Sequence, residues 1–270
     1  MSSSDRYTHG HHESVLRSHR WRTVENSAAF LLGELRDGQS LLDVGCGPGT
    51  ISADFARRLP NGHVLAIDNA DGIISEARQD PDFADLDNLT FEVRDIYATG
   101  LDSDCFDVVF AHQVLQHVTD PVGALREMYR VVKPGGVVAV RDTDFGAFTW
   151  YPLDARLTRW LELYHDMTHH NRAQPDAGRR LKKWAMEAGF ADCTVTSSTW
   201  TFERPEERQW WGGLWADRIE QSRFADQALE YGLSTPEELA ELAAGFRAWI
   251  VEPEGVFFVL HGEVLARKVS

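Results

Sequence analysis

The sequence predicts an α/β protein in which helices cover both faces of a doubly wound parallel sheet. Two observations carry this prediction. Short apolar runs alternate with amphipathic segments between about residues 40 and 142, and the first apolar run ends in a cluster of glycines. Strands that alternate with helices of about 10–15 residues are typical of βαβ units, whose strands lie parallel. The chain has 270 residues, which suits one large domain or a domain with an appendage.

Hydrophobic periodicity places the individual elements. In the first half, helical spacing covers residues 23–36, 50–59, 72–79 and 121–132, and strand-like runs cover 40–45, 63–68, 89–95, 106–112 and 137–142, with a turn at 134–136. After Asp142 the pattern predicts helices over 153–170, 177–190, 205–222 and 234–249, and strands over 192–202 and 255–268. The roughly 50 residues between the last two strands therefore resemble a helical insertion over the sheet.

Composition limits the function classes. Hydrophobic residues make up 43% of the chain, close to the usual globular share, so it can bury a real core. The net charge of -15 argues against nucleic acid as a partner, because binding to phosphates depends on Lys and Arg. No apolar run reaches the length of a membrane span, and the first residues carry no apolar signal core, so we expect a cytoplasmic protein. Three scattered cysteines without CxxC spacing predict no metal site.

The tryptophans are distributed unevenly. Of nine, none lies between Leu41 and Asp142, and eight lie at or beyond Trp150. One interpretation is that large aromatic side chains pack a helical region. The other is that the second half of the chain forms an aromatic pocket, so that each half of the chain would bind a different ligand.

The strongest local signal is the segment LLDVGCGPG at residues 41–49. A strand runs into three glycines and then a helix, so the chain can turn sharply and a ligand can approach the backbone. The dinucleotide pattern GxGxxG fails because Thr50 stands where the third glycine belongs, and the phosphate-loop pattern fails because no lysine follows. Asp43, just before the turn, would repel a pyrophosphate and attract an ammonium group, which points to a cationic ligand.

Further acids end the next two strands. Asp68 lies 23 residues after Gly45, which suits a carboxylate that accepts both hydroxyls of a ribose. Asp95 ends the third strand and Ile96 follows it, which suits contact with the amino group and face of an adenine. Any one of these acids could instead cap a helix or lie in a solvated turn. All of them fall at the carboxyl ends of strands, where ligands bind in open α/β sheets.

These motifs, together with VLAIDNA, FEVRDIY, FDVVFAHQVLQHVTD and ALREMYRVVKPGGVVAVRD, resemble the class I S-adenosylmethionine-dependent methyltransferases over residues 41–142. The chain is most similar to their ubiquinone/menaquinone-biosynthesis-like small-molecule group. The resemblance implies a Rossmann-like, seven-stranded, mostly parallel sheet with an antiparallel last strand and a helical cap. We accordingly divide the chain into an N-terminal lid and helix (1–36), a cofactor-binding core (37–145) and the remainder of the sheet (146–270) with a substrate cap at about 203–254.

The resemblance also implies site residues. The cofactor would be S-adenosyl-L-methionine, and its contacts would be Asp43, Gly45 and Gly47 at the methionine end, Asp68 and Asn69 at the ribose, Asp95 and Ile96 at the adenine, His112 and Gln113 along the methionine and sulfonium, and Tyr7 from the lid. The segment that carries Tyr7 could equally be a solvated tail.

Acceptor chemistry is less constrained. A phenol, enol or activated carbon gains from losing a proton, which invites a general base, and His117 is our first candidate. A histidine that hydrogen-bonds a backbone carbonyl is the alternative. An acceptor pocket is predicted from aromatic side chains at Trp150, Tyr151, Trp211 and Trp215, although an aromatic stripe is more often core.

We therefore predict methyl transfer to a small, apolar or aromatic molecule on carbon, oxygen or nitrogen, of the kind found in secondary metabolism. The alternatives are a methyltransferase acting on protein or RNA, and a protein that binds S-adenosylmethionine without transferring its methyl group. Aromatic residues in 209–219 leave a homodimer open.

Overall fold

A computed structural model describes residues 21–269, and a mixed β-sheet of eight strands runs through it. The strands are β1 (Ser40–Val44), β2 (His63–Asp68), β3 (Leu89–Val93), β4 (Phe106–His112), β5 (Val132–Thr143), β6 (Thr149–Tyr151), β7 (Asp192–Phe202) and β8 (Val256–Arg267). The helices are α1 (Val24–Ser27), α2 (Thr50–Arg58), α3 (Asp71–Gln79), α4 (Pro121–Val131), α5 (Ala155–His170), α6 (Leu181–Ala188), α7 (Pro205–Gln221), α8 (Arg223–Glu230) and α9 (Pro236–Val251).

Five strands form the parallel part of the sheet in the order β3-β2-β1-β4-β5. The long β8 then runs antiparallel between β5 and β7. The order reverses between β1 and β4, and in open α/β sheets such a switch point is where a ligand crevice forms. The predicted mostly parallel sheet with an antiparallel last strand is confirmed. The sheet has eight strands rather than the seven predicted, because the short β6 pairs with the first residues of β8, which β5 does not reach.

Alternation along the strands builds a core on each face of the sheet. Leu42 and Val109 pack on one face against α4 and α6, whereas their neighbours Leu41 and Val108 pack on the other against α1 and α2. Successive side chains of a strand point to opposite faces, so strands buried on both sides are apolar at every position. This is why the sequence shows continuous apolar runs there.

A third core lies beyond the parallel sheet, among α5, α7, α8 and α9. Its centre is aromatic: Trp160 and Trp215 are in edge-to-face contact with ring centroids 4.4 Å apart, and Phe246 lies 5.0 Å from Trp160. Phe257 of β8 packs against the same cluster. The helical cap is thus fixed to the antiparallel strand by a core of its own.

Two predicted elements differ from the structure, and helix α8 and strand β6 were not predicted. The helix predicted over 23–36 is instead the single turn α1 followed by a 3-10 helix at Ala29–Glu34, because Ala28 leaves helical geometry with φ -138° and ψ 15°. The turn predicted at 134–136 lies inside β5, where the N–H of Gly135 donates to Lys268. Helix α8 was missed because Ser222 both interrupts the chain direction and caps the new helix, its Oγ accepting from the N–H of Phe224 at 3.1 Å.

Across residues 21–269, no helix is long and apolar enough to cross a membrane.

Candidate active site

The carboxyl ends of β1, β2, β4 and β5 open into a cavity of about 340 Å³. Its walls come from the glycine loop after β1, the ends of β2 and β4, the segment after β5, and helix α7. Ligand pockets usually measure about 300–1,000 Å³, so a small molecule fits. The fold brings together around this cavity residues from Arg22 to Val259, which are 237 positions apart in the chain.

The backbone conformation of the glycine loop after β1 requires glycine at positions 45 and 47. Gly45 and Gly47 have φ of +70° and +55°, a region that L-residues with side chains rarely adopt. A Cβ at Gly45 would lie 2.5 Å from Cγ2 of Val114, so the loop after β4 leaves no room for one. The N–H of Gly45 donates to Ile67 and that of Gly47 to Oδ2 of Asp68. With both N–H groups paired inside the protein, these two glycines have no N–H left for an anionic ligand, whereas a cationic group does not need one.

Two carboxylates face the same half of the cavity. Asp43 is buried, and its Oδ2 accepts from Oγ of Ser52 at 2.6 Å. Burial raises the pKa of Asp43 to about 7, with a further contribution from the negative charge of Asp68. Asp68 accepts at Oδ2 from Gly47 and at Oδ1 from the N–H of Ala70 at 3.0 Å. A bound cation would relieve the cost of keeping Asp43 ionised.

The predicted adenine contacts are only partly brought together. Ile96 lines the cavity, and so does Asn69, which was predicted at the ribose. Asp95 does not: it is exposed, and its Oδ1 accepts from the N–H of Tyr97 at 2.9 Å. The chain leaves β3 at Val93 and turns at once, so Arg94 and Ile96 face inward and Asp95 faces out.

Both predicted residues at the end of β4 line the cavity. His112 is buried, and neither of its ring nitrogens has a hydrogen-bond partner among residues 21–269. Burial, together with the charges of Arg22 and Arg141, holds the pKa of His112 well below its usual range, so the ring is neutral. Gln113 has a left-handed backbone, φ +54°, and its N–H donates to the carbonyl of Arg141 at 2.8 Å.

His117 is held as one particular tautomer by its neighbour Gln116. Oε1 of Gln116 accepts from both the N–H and the hydroxyl of Thr143, so the other terminal atom is the amide nitrogen. That nitrogen lies 3.0 Å from Nε2 of His117 and donates to it. Nε2 is therefore the acceptor nitrogen and Nδ1 carries the proton. Burial, with Arg22 and Arg218 nearby, lowers the pKa of His117 to about 3.

This geometry changes the predicted role of His117. A general base needs a lone pair directed at the substrate and an appreciable proton affinity. The lone pair of Nε2 is already engaged by Gln116, and a pKa of about 3 means weak proton affinity. His117 is placed to donate a hydrogen bond from Nδ1 rather than to accept a proton.

The predicted aromatic residues separate into two groups. Trp211 and Trp215 line the cavity, together with Phe145, Phe148, Trp200 and Trp210. Trp150 and Tyr151 are not among its lining residues. They lie on β6, where alternation turns Trp150 inward to stack on Phe257 with centroids 5.4 Å apart and turns Tyr151 outward, 53% exposed. The prediction of these two as pocket residues is therefore wrong.

Sequence reasoning assigned none of the three arginines that line the cavity, Arg22, Arg94 and Arg218. Arg22 donates from a guanidinium nitrogen to Oε1 of Gln113, 91 positions along the chain. Arg218 is only 5% exposed on α7, and its guanidinium carbon lies 5.2 Å from the ring centroid of Trp215. Arg218 follows Trp211 by seven positions on one helix, so helical spacing could have found it; nothing in the sequence relates Arg22 to Gln113. Tyr7 lies outside the described residues.

The comparisons with known proteins identify the class. A family model described as a methyltransferase domain matches residues 35–196. The chain therefore belongs to this methyltransferase family, and its fold is that of the class I methyltransferases, as the sequence motifs indicated.

Particular relatives agree with that assignment. An uncharacterized methyltransferase of Schizosaccharomyces pombe is 30% identical over 97% of this chain and 96% of its own length. The ubiquinone/menaquinone biosynthesis C-methyltransferase UbiE of Cereibacter sphaeroides is 40% identical, but over only 39% of this chain and 42% of its own. The fold is similar to that of a Haemonchus contortus phosphoethanolamine N-methyltransferase, solved with S-adenosylhomocysteine, at a TM-score of 0.58 and 19% identity over 89% of this chain and 51% of that one.

Proposed function

We propose that this protein transfers a methyl group from S-adenosylmethionine to a small, apolar or aromatic acceptor. One observation carries the proposal: a carboxylate pair suited to a cationic nucleoside and a wall of aromatic side chains face the same cavity. The acids come from β1 and β2, and the aromatic residues come from β7, α7 and the segment after β5. A donor and an acceptor can therefore lie side by side.

The residues present fit the donor. Asp43, with the carbonyl of Gly45, would hold the α-ammonium group, and Asp68 with Asn69 would hold the ribose hydroxyls. His112, whose ring nitrogens have no protein partner within residues 21–269, would contact the donor near the end of β4. When bound, S-adenosylmethionine supplies a methyl group attached to a sulfonium sulfur. After transfer of the methyl group, the sulfur compound is the leaving group and is a neutral thioether.

The chain's own residues then have two tasks. The glycine loop and the acids fix the donor, and the aromatic wall positions the acceptor so that its nucleophilic atom is in line with the methyl group. Orientation of this kind can contribute up to about 7–11 kcal/mol to lowering a barrier. The same wall, with Trp211 and Trp215 both under 6% exposed, excludes water from the reacting atoms. We infer that α7, α8 and α9 form the substrate cap.

The experiment that tests this function combines the protein with a donor labelled in its methyl group and a cell extract. Label in small organic products supports the proposal. Label in protein or RNA would instead support the macromolecular alternative, which the net charge of -15 disfavours for RNA. Binding of S-adenosylhomocysteine in a calorimeter without any transfer would support a protein that binds the donor only.

A further inference from the structure

Two aromatic residues of the cavity wall, Phe145 and Phe148, lie on a short segment after β5 that we call the wall segment (residues 144–148). Within it, Phe145–Ala147 is a single 3-10 turn, and Asp144 precedes the turn at the N-cap position. An aspartate at that position usually accepts from the first N–H groups of the turn, but the side chain of Asp144 makes no such bond. The turn therefore depends on acceptors from another part of the chain.

Those acceptors belong to the loop between α5 and α6, which we call the support loop (residues 171–180). The N–H of Phe145 donates to the carbonyl of Pro175 at 3.2 Å, and the N–H of Gly146 donates to Oδ1 of Asp176 at 2.7 Å. A side chain 30 positions away from Gly146 thus takes the place of the N-cap. The conformation of the wall segment is set by the support loop, because its own aspartate is directed elsewhere.

Asp176 is held from a second side by α5. Nε2 of His165 lies 2.9 Å from the same Oδ1, and Nδ1 of His165 lies 2.8 Å from the carbonyl oxygen of Leu161. Although burial raises the pKa of Asp176, the hydrogen bonds from His165 and from the N–H of Gly146 hold it below its usual range. The side chain of Asp176 is therefore an ionised acceptor, and bonds to an ionised acceptor are stronger than bonds between neutral groups.

The carboxylate of Asp144 binds the other end of the support loop. It is 3% exposed and accepts from the backbone N–H of Arg179 at 2.9 Å and from Nε of the same residue at 2.7 Å, with a further bond from Nη2. A carboxylate bound by a backbone N–H and by both sides of a guanidinium has a fixed orientation. The two chain segments also pack closely, since a Cβ at Gly178 would lie 3.1 Å from Cβ of Asp144.

No residue of the support loop lines the cavity, yet the loop holds two parts of its wall. The N–H of Gln174 donates at 2.8 Å to the carbonyl of Gln116, which lines the cavity after β4. The ring of Phe145 stacks on those of Phe148 and of Tyr164 in α5, with centroids 4.4 and 3.9 Å apart. A displaced support loop would therefore change the aromatic surface against which we place the methyl acceptor.

We infer that Asp176 and Arg179 are positioning residues for the acceptor: through the N–H of Gly146 and the carboxylate of Asp144 they hold the wall segment in the shape that binds it. This inference rests on the proposed function, since it concerns the acceptor wall of the same cavity. The carboxylates proposed for the donor lie on β1 and β2, whereas the support loop is bonded to the segments after β4 and β5. Loss of Asp176 should accordingly weaken acceptor binding and spare donor binding.

The test uses the full chain, S-adenosylmethionine labelled in its methyl group and the small-molecule fraction of a cell extract. The rate of label transfer is measured at saturating donor over a dilution series of that fraction. For Asp176→Ala we expect the amount of fraction that gives the half-maximal rate to rise about fivefold or more, with the maximal rate within about twofold, as when binding is lost equally before and in the transition state. The dissociation constant of S-adenosylhomocysteine, measured by calorimetry, should change less than about twofold.

Further variants separate positioning from a general loss of stability. Asp176→Asn keeps an oxygen that can accept from the N–H of Gly146, so it should restore most of the acceptor use that Asp176→Ala loses. Arg179→Gln removes the guanidinium from Asp144 and should shift the half-maximal point in the same direction as Asp176→Ala. The matched control is Asp166→Ala, an exposed carboxylate of α5 that lies 3.8 Å from Arg159, and it should leave both measurements unchanged.

Two results would overturn the inference. One is an unchanged half-maximal point in Asp176→Ala or Arg179→Gln, and the other is a loss of S-adenosylhomocysteine affinity as large as the shift of that point, which would show a general structural effect. If Asp176→Ala does not fold, Arg179→Gln carries the same comparison. An unmodified protein that transfers no label to small molecules would instead contradict the proposed function, so the two failures are distinguishable.

Discussion

Oγ of Ser52 donates a hydrogen bond to Oδ2 of Asp43 across 2.6 Å. Asp43 is buried beside the glycine loop, and within residues 21–269 this is the side-chain hydrogen bond recorded for its carboxylate. It offsets only part of the cost of burial, since the pKa of Asp43 still rises to about 7. The carboxylate that we assign to the donor's ammonium group thus titrates near neutral pH in the free protein.

Donor binding should therefore depend on pH. Below pH 7 the free protein holds a proton on Asp43 that must leave when a cation binds, so affinity for S-adenosylhomocysteine should fall about tenfold between pH 8 and pH 6. Calorimetry at pH 6, 7 and 8 measures this. Asp43→Asn should bind more weakly and lose most of the dependence; a variant that keeps the full slope would show that another group titrates.

Asp68 should contribute strongly to donor affinity. Asp68→Ala removes the proposed ribose acceptor and also the bonds to the N–H groups of Gly47 and Ala70, so we expect the dissociation constant of S-adenosylhomocysteine to rise at least tenfold, about 1.4 kcal/mol. The control is Asp87→Ala, an exposed carboxylate. An unchanged dissociation constant of S-adenosylhomocysteine in Asp68→Ala would contradict the assignment of Asp68 to the ribose.

Replacement of His117 separates a hydrogen-bond donor from a base. In His117→Asn the side-chain amide can place an N–H near the position of Nδ1 but cannot take a proton. We expect kcat for the acceptor identified in extract to stay within about tenfold, with an unchanged pH profile, whereas loss of a general base usually costs about 10²–10⁴. A loss in that range, with disappearance of an acidic limb from the profile, would restore the original prediction of a base.

Asp142 offers a test of stability. It is fully buried behind the loop after β4, where its Oδ1 accepts from the N–H of Gln116 at 3.1 Å, and burial raises its pKa to about 7. A raised carboxyl pKa means that the folded protein holds the proton more tightly, so stability falls as pH rises from about 4 towards 7.

Asp142→Asn keeps the acceptor oxygen and removes the charge. The change in Tm relative to the unmodified protein should accordingly be more favourable at pH 8 than at pH 5, measured by calorimetric or circular-dichroism melting. Asp87→Asn serves as the exposed control and should show no such difference. An equal shift of Tm at both pH values for Asp142→Asn would contradict the assigned titration.

The parallel sheet was predictable because its strands are buried on both faces. His63–Asp68 and Phe106–His112 are apolar through most of their length and end in polar side chains, so periodicity gave the bounds that the structure has. The donor half of the cavity followed from the same signals, since its residues sit at strand ends and in a loop defined by glycines.

The acceptor half was less predictable because its residues meet through tertiary packing. Trp211 and Trp215 lie four positions apart on one helix, and helical spacing placed them together. Trp150 belongs to a strand of three residues, too short for its alternation to be read, so its inward direction was missed. The contact between Arg22 and Gln113 joins the start of the described chain to the switch point of the sheet, and no local pattern encodes it.

The uneven distribution of tryptophans has an optical consequence. The cofactor-binding strands between Leu41 and Asp142 contain none, whereas four of the nine, Trp200, Trp210, Trp211 and Trp215, line the cavity. Seven of the nine tryptophans belong to the aromatic core of the cap or pack against it, whereas Trp184 packs in the core of the parallel sheet, so the intrinsic fluorescence comes mainly from the cap and the acceptor wall. A molecule that enters the acceptor half of the cavity will change the emission of several indoles at once. Candidate acceptors can therefore be screened with the unlabelled protein by measuring its intrinsic tryptophan fluorescence.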